Sequence, residues 1–406
     1  MKKIYILSFS ILLCFNALAQ EQNAIDPIIA MARKVMDYKQ SEISGLFSDG
    51  FLKEVPHERL VGILKQFNDE YGAFISVRKT SKDKLEYHYE KALIPGTLHL
   101  DRKGKIDGLW FGSPQMLNDT YGLVLGELKK LGETVAVTIR KNGKETIVAY
   151  NNTVPLAIGS AFKMAILEAL VDKIHRGEAT WGTVIPLQKN MMAFPSGSLQ
   201  TWQPGTPMTL ASLANLMISR SDNTAADHLL FYCGRENVEK YVPDRDRPYP
   251  STLELVKLKY GMNVTDSVLH GKYLAAKSIA EKREVLAEVD SAAKDNIEPT
   301  TEPKDISSLE WFYTTDELCD IIERVRDQPA MQINPAVADT GEWRSVAYKG
   351  GSEPGVINMT YALDSKNTKN SYTISVTANN SAEDIDEDAF ASIVERLIEL
   401  VRANDK

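Results

Sequence analysis

The sequence predicts an α+β chain with two folded domains, and three observations carry that prediction. Residues 26 to about 118 read as helices followed by a run of period-two strands. From about residue 119 a β-hairpin leads into a block of apolar helices. The chain then returns to strands between Ser345 and Ala378 and closes on an amphipathic helix over Glu387 to Arg402.

Residues 1–19 read as an export leader. Lys2 and Lys3 form a charged start, Ile4 to Phe15 an apolar stretch, and Ala17-Leu18-Ala19 a small-x-small cleavage site. The apolar run is too short to span a bilayer, and Leu13 before Cys14 is too large for lipoprotein processing. The expectation is an exported protein of residues 20–406, periplasmic or extracellular, with no membrane anchor. Removing Lys2 and Lys3 leaves 45 basic residues against 55 acidic ones, a formal charge near −10. Such a balance argues against nucleic acid or an anionic membrane as partner. Cys233 and Cys319 remain after cleavage, either as one bridge or, the favoured reading, as two separate buried thiols. The six histidines form no HExxH or His/Cys cluster, so no metal or cofactor is implied.

The first domain is expected over residues 26–118. Asp26-Pro27 opens a helix to about Lys39, a short helical stretch covers Ser41 to Phe47, and His57 to Tyr71 carries Leu60, Ile63, Leu64 and Phe67 on one face. Strands follow at 73–79, 84–91, 96–101 and 106–111. Tyr87, His88, Tyr89 and His99 either line a pocket or are amphipathic packing, and packing is the favoured reading. Ser113-Pro114 marks the linker, ahead of a helix over Tyr121 to Leu131. The element order and the ending Gly104-Lys-Ile-Asp-Gly-Leu-Trp110 resemble the curved-sheet cone of ketosteroid-isomerase-like domains.

The second domain, residues 119–406, is organised around Ile158-Gly-Ser160-Ala-Phe-Lys163-Met164. It follows a hairpin, 132–140 and 145–151, that turns on Lys141-Asn142-Gly143. From Ala161 to Val171 only Lys163 and Glu168 are charged, so the helix is expected to be buried nearly all round. Three residues along a helix bring two side chains to one face, within reach of each other. Burial lowers a lysine pKa, and a neutral amine beside a serine can take its proton. The Ser-x-x-Lys pattern alone says little, since it recurs at Ser76/Lys79, Ser81/Lys84 and Ser291/Lys294. A capping serine with an unrelated lysine is its ordinary meaning.

Two further motifs lift Ser160. Ser221-Asp222-Asn223 sits between the helices 209–219 and 224–232, where such residues also serve as caps. Lys349-Gly350-Gly351-Ser352 follows a strand over Ser345 to Tyr348 and precedes strands at 356–363 and 372–378. Paired glycines let a substrate backbone approach a strand closely. Between these motifs, residues 260–335 are long and charged, with a helix over Ala275 to Asp290, and read as a solvated helical cap or a wall of the cleft.

Ser-x-x-Lys, then Ser-Asp-Asn 61 residues later, then Lys-Gly-Gly-Ser near the C-terminus resembles the motif order of class A β-lactamases and penicillin-binding proteins over roughly residues 120–404. With its first domain the chain is most similar to two-domain β-lactamase-like serine hydrolases, of which a clavulanic-acid-cluster esterase is a known type. The resemblance implies an antiparallel sheet flanked by helices plus an all-helical subdomain. It implies Ser160 as nucleophile, Lys163 as its base and Ser221 as a proton shuttle to the leaving group. Asn223 would orient substrate and Lys163, and Lys349 with Ser352 would hold a carboxylate. Gly351 would lie against the substrate, and the N–H groups of Ser160 and Ser352 would form the oxyanion hole. The implied partner is a small molecule, a β-lactam or a related ester or amide. A peptidoglycan carboxypeptidase and a non-catalytic binding module are the alternatives. Two features depart from the family pattern. Gly350 stands where threonine is usual, and no Glu-x-x-Leu-Asn occurs between Asn223 and Lys349 to supply a deacylating base.

Overall fold

The structure, a computed structural model, describes residues 26–37, 43–112, 114–261, 264–292, 297 and 300–405. The leader expected over residues 1–19 and Ser113 of the expected linker lie outside these residues. The chain divides into two compact units, Met1–Asp119 and Thr120–Lys406.

In the first unit, α1 (Pro27–Met36) starts at Asp26, whose carboxylate accepts from the Ile28 N–H at 2.8 Å. It is followed by a 3-10 turn at Ile43–Leu46, α2 (Asp49–Glu54) and α3 (His57–Tyr71). Strands β1 (Phe74–Lys79), β2 (Lys84–Tyr89), β3 (Ala92–Leu100) and β4 (Ile106–Phe111) pair antiparallel in chain order, and β5 (Gln115–Met116) pairs with β3. β3 begins four residues before the expected strand. Pro95-Gly96 reads as a break in sequence, but Gly96 is required inside this strand. A Cβ there would lie 2.7 Å from the Trp110 carbonyl oxygen and 2.9 Å from the Tyr87 ring. Tyr87 and Tyr89 are buried in an aromatic cluster with Phe67, Phe74 and Phe111. His88 pairs with Glu86 at 2.7 Å and exposed His99 with Asp107 at 2.6 Å, so these four residues act in packing and surface pairing.

The second unit opens with α4 (Tyr121–Leu128), three residues shorter than expected. Hairpin strands β6 (Thr134–Lys141) and β7 (Glu145–Tyr150) turn through Asn142 and Gly143, both at positive φ, as the Asn-Gly pair demands. Then come β8 (Leu156–Ala157), a 3-10 turn at Gly159–Phe162, α5 (Lys163–His175), β9 (Val184–Pro186), β10 (Pro207–Thr209), α6 (Leu210–Ser219) and α7 (Asn223–Cys233). These lead to α8 (Arg235–Val238), α9 (Thr252–Tyr260), α10 (Val264–Ala275), α11 (Ile279–Ser291), β11 (Phe312–Tyr313) and α12 (Thr315–Val325). The chain ends in β12 (Trp343–Glu353), β13 (Val356–Ser365), β14 (Ser371–Asn379) and α13 (Glu387–Ala403).

Five strands form one antiparallel sheet in the order β12-β13-β14-β6-β7, which places the chain's third motif on an edge strand. Val124 and Leu128 of α4 and Phe390, Val394, Leu397 and Val401 of α13 pack with Val137, Ile139, Tyr361, Ile374 and Val376 of the sheet. A second core centres on α5, whose residues from Lys163 to Val171 are all buried, and includes α6, α7, α9 and α12. This is the expected α+β architecture of a sheet flanked by helices with a helical subdomain.

The structure corrects the reading of residues 260–335. The helix expected over 275–290 begins later, as α11 at Ile279, opened by Ser278 in a capping box with Glu281, and α10 before it was not expected. Nor is this region a purely solvated cap: Val285, Leu286 and Val289 of α11 and Leu318, Ile321 and Ile322 of α12 join the second core, and Asn334 lines the cleft described below. Just before it, α9 is buried along its length. The Lys257 ammonium reaches the carbonyls of Val289 and Ala292, at 2.8 and 2.7 Å, and so caps the C-terminus of α11. Lys259 pairs with Glu310 and with Glu353, at 2.5 Å in the latter case. Cys233 and Cys319 are separate, buried thiols.

Candidate active site

Ser160 sits on the 3-10 turn between β8 and α5. The Asn379 side chain accepts from the Ala157 N–H and donates to the Ala157 carbonyl, both at 2.9 Å, tying the entry to the turn onto β14. The Tyr249 hydroxyl donates to the Phe162 carbonyl at 2.9 Å, and Phe162 stacks on Trp311 at 3.7 Å. Two glycines let this turn press directly on the edge strand. Gly159 has φ +47°, and a Cβ on Gly351 would lie 2.2 Å from the Ser160 nitrogen. A Cβ on Gly159 would in turn lie 3.1 Å from the Ser352 nitrogen. The backbone nitrogens of Ser160 and Ser352 are thereby brought to one place, as an oxyanion site needs.

Lys163, on the first turn of α5, is fully buried. Its Nζ lies 2.6 Å from the Ser221 carbonyl, 2.6 Å from Asn223 Oδ1, 3.0 Å from Ser160 Oγ and 3.2 Å from Ser221 Oγ. The Asn223 amide nitrogen donates to the Phe194 carbonyl at 3.2 Å, which fixes its oxygen toward the lysine. Burial, then the nearby Lys349 charge, holds the Lys163 pKa well below its usual value, against the pull of Asp222 and Asp227. A neutral amine has two protons and one lone pair. The Ser221 carbonyl and Asn223 Oδ1 can only accept, so they take the two protons. The lone pair is left for a hydroxyl.

Ser221 adopts φ +54°, a left-handed conformation rare for serine. The conformation is held by its neighbour. The buried Asp222 carboxylate accepts from Ala225 N–H at 2.9 Å, capping α7, and from Ser198 and Leu199 N–H at 2.7 and 3.0 Å. The middle residue of the triplet thus clamps the loop that carries Ser196, while Ser221 faces the cleft and the Asn223 oxygen faces Lys163. Ser221 Oγ lies 3.1 Å from Lys349 Nζ, so both lysines meet at this hydroxyl. Lys349 is 2 % exposed, also donates to the Gly350 carbonyl, and is brought by burial to about 7.

Ser160, Ser221, Lys349, Gly351 and Ser352 line a cleft of about 290 Å³, while Lys163 and Asn223 are buried. Ser160, Lys163, Ser221, Asn223 and Lys349 form one hydrogen-bonded cluster, and Gly351 and Ser352 complete its edge. The sequence reading missed Ser196, Ser219, Asn334 and Tyr348, which also line the cleft. No local motif marks them, because each is delivered by packing of the chain around the site. Among the described residues no carboxylate hydrogen-bonds to Ser160 or Lys163. Asp244 pairs with Arg247, Asp246 accepts from the Phe312 N–H, and Glu254 pairs with Arg235. Nor is there, among these residues, a group of three or more His, Cys, Asp or Glu placed to hold a metal.

The family model Beta-lactamase2, described as the beta-lactamase enzyme family, matches residues 124–400. The chain belongs to the β-lactamase enzyme family. No curated protein matches it. Among solved structures, this β-lactamase-family chain is similar to a β-lactamase from Sphaerobacter thermophilus, 18% identical with a TM-score of 0.48, covering 71% of this chain and 98% of that one. It is also similar to PBP-A, 15% identical with a TM-score of 0.45, covering 69% and 97%. A class A β-lactamase from Bacteroides cellulosilyticus is 19% identical with a TM-score of 0.44, covering 70% and 97%.

Proposed function

We propose that this β-lactamase-family chain is an exported serine hydrolase that forms an acyl-enzyme at Ser160 on a β-lactam or a related ester or amide. The observation that carries this reading is the Lys163 amine, buried and depressed in pKa, 3.0 Å from the Ser160 hydroxyl with its protons committed elsewhere. In this reading Lys163 takes the Ser160 proton as Oγ attacks the carbonyl. The N–H groups of Ser160 and Ser352 stabilise the oxyanion. Ser221, in contact with the same amine, passes the proton to the leaving nitrogen or oxygen. Lys349 and Ser352 hold an anionic group of the substrate, and Asn223 keeps Lys163 in register.

A second reading is favoured by the carboxylates. The acids acting on Lys163 are Asp222 and Asp227, and both are committed to backbone N–H groups. With no carboxylate hydrogen-bonded to Ser160 or Lys163 among the described residues, the acyl-enzyme is long-lived in this reading, as in a penicillin-binding protein that acts on peptidoglycan peptides. The first unit is proposed to be a ketosteroid-isomerase-like domain, as in esterases of the clavulanic-acid-cluster type, and the mature protein to begin at Gln20 in the periplasm or outside the cell. Among the described residues no helix is long and apolar enough to cross a membrane.

Incubation with a fluorescent penicillin, followed by intact mass over time, tests these readings. A transient adduct supports hydrolysis and a persistent one supports the penicillin-binding reading. Absence of any adduct speaks for a cleft that binds without turnover. Ser160→Ala is expected to abolish labelling with the fold intact, and labelling that survives in this variant rules out Ser160 as nucleophile.

A further inference from the structure

Lys349 is a buried amine with no acid paired to it among the described residues. Its acceptors are the Ser221 hydroxyl and the Gly350 carbonyl. A buried cation without a counterion is a standing invitation to an anion from the substrate. The neighbouring residue shows where a second donor comes from. A Cβ on Gly350 would lie 2.2 Å from the Tyr348 hydroxyl oxygen and 2.8 Å from the Asn358 carbonyl oxygen. The phenol therefore occupies the space in which a side chain at residue 350 would begin, and only glycine admits it.

Tyr348 and Gly350 share one face of β12, and Lys349 lies on the other. Because β12 is the edge strand, a hydroxyl held beside Gly350 borders the same cleft as Lys349, Ser160 and Ser221. The ring is fixed. It packs on Tyr361 at 4.7 Å with 35° between the planes, and the Tyr361 hydroxyl accepts from the Val337 N–H at 3.3 Å. The Tyr348 hydroxyl itself has no hydrogen-bond partner among the described residues. Burial, then the negative charge of Glu387 in the same cleft, pushes its pKa up to about 12, so it keeps its proton and can donate it. Glu387 also lines the cleft, but it is exposed and stands in the first turn of α13, where water and the free N–H groups temper its charge.

We propose that the Tyr348 hydroxyl and the Lys349 amine together bind a carboxylate of the substrate, Tyr348 supplying the hydroxyl that Gly350 lacks. This makes Tyr348 a specificity-determining residue for anionic substrates and rests on the reading of Ser160 as the acylated residue. A donor from a phenol to a carboxylate is charge-assisted and directional, so its loss falls on substrates that carry the charge.

The test is the second-order rate of acylation by benzylpenicillin and by its methyl ester, in the unaltered protein and in Tyr348→Phe. The ratio of the two rates is measured within one preparation and does not depend on the folded fraction. The unaltered protein is expected to favour the free acid, and Tyr348→Phe to reduce that preference about tenfold, the effect of one lost hydrogen bond to a charged group. An unchanged preference, or an equal fall for both compounds, would overturn the assignment by leaving Tyr348 only a packing role. No acylation of the unaltered protein by either compound would instead overturn the β-lactam reading of the site, and this proposal with it.

Discussion

Asn223→Asp is the most informative single change at the cluster. The Asn223 oxygen lies 2.6 Å from Lys163 Nζ, and aspartate keeps an acceptor there while adding a negative charge. Opposite charges about 4 Å apart at an effective dielectric near 20 attract by about 4 kcal/mol, which is about 3 pKa units. The sign is unambiguous. The added charge favours the ammonium, so the lysine pKa rises and the neutral fraction at pH 7 falls, by up to about a thousandfold. Acylation by benzylpenicillin methyl ester, which lacks the carboxylate that Lys349 would sense, followed by rapid quench and intact mass between pH 6 and 10, is expected to slow accordingly at pH 7 and to recover toward alkaline pH. Asn223→Ala removes the acceptor without adding charge and separates the two effects, since its profile is expected to stay near that of the unaltered protein. If Asn223→Asp reacts at the unaltered rate with an unshifted profile, Lys163 is not the base.

Three further outcomes are expected. Asp222→Asn turns an amide toward backbone N–H groups now held by a carboxylate at 2.7 to 3.0 Å, and is expected to destabilise the second unit by about 2 to 4 kcal/mol in urea unfolding and to slow acylation as the Ser221 loop relaxes. Lys349, brought to about 7, is charged below that pH and neutral above it. The rate constant for capture of a carboxylate-bearing substrate is therefore expected to fall above pH 7, and that falling limb is expected to be absent with its methyl ester. At the C-terminus, burial alone would raise Asp405, yet hydrogen bonds from Asn370, Ser365, Tyr372 and Thr368 bring it to about 2. Its folded pKa lies below its unfolded one, so its contribution is present above about pH 4 and lost as pH falls toward 2. Thermal melts of Asp405→Ala are expected to show less acid destabilisation over that window.

Much of the site was legible because its members sit in short motifs with a mechanical meaning. Ser160 and Lys163 lie three residues apart on one turn, Ser221 and Asn223 flank a capping aspartate, and Lys349 enters a glycine pair. Tyr348 was not legible as a cleft residue, since its place follows from what Gly350 omits and from the stacking of Tyr361. In the fold, the hairpin at Asn142-Gly143 and the buried α5 follow from turn chemistry and periodicity. The helices between Asn223 and Lys349 were harder. Charge over residues 260–335 suggested solvent, whereas Glu310 is turned inward to Lys259 and the helices α11 and α12 bury Val285, Leu286, Ile321 and Ile322. A usable signal was present in Ser251-x-x-Glu254, Ser278-x-x-Glu281 and Thr314-x-x-Glu317, each a capping box that opens a helix. Where a buried polar residue is satisfied by distant backbone, hydropathy misplaces it and only the caps give the helix away.

Proton transfer from Ser160 needs an uncharged Lys163, and that charge can be measured directly. Carbon-13 NMR of protein labelled at the lysine Cε positions, titrated from pH 5 to 10, would identify the Lys163 signal by its absence in Lys163→Met. An amine that serves as the base gives a signal that titrates well below those of the exposed lysines. A Lys163 signal that titrates with the exposed lysines would contradict that role.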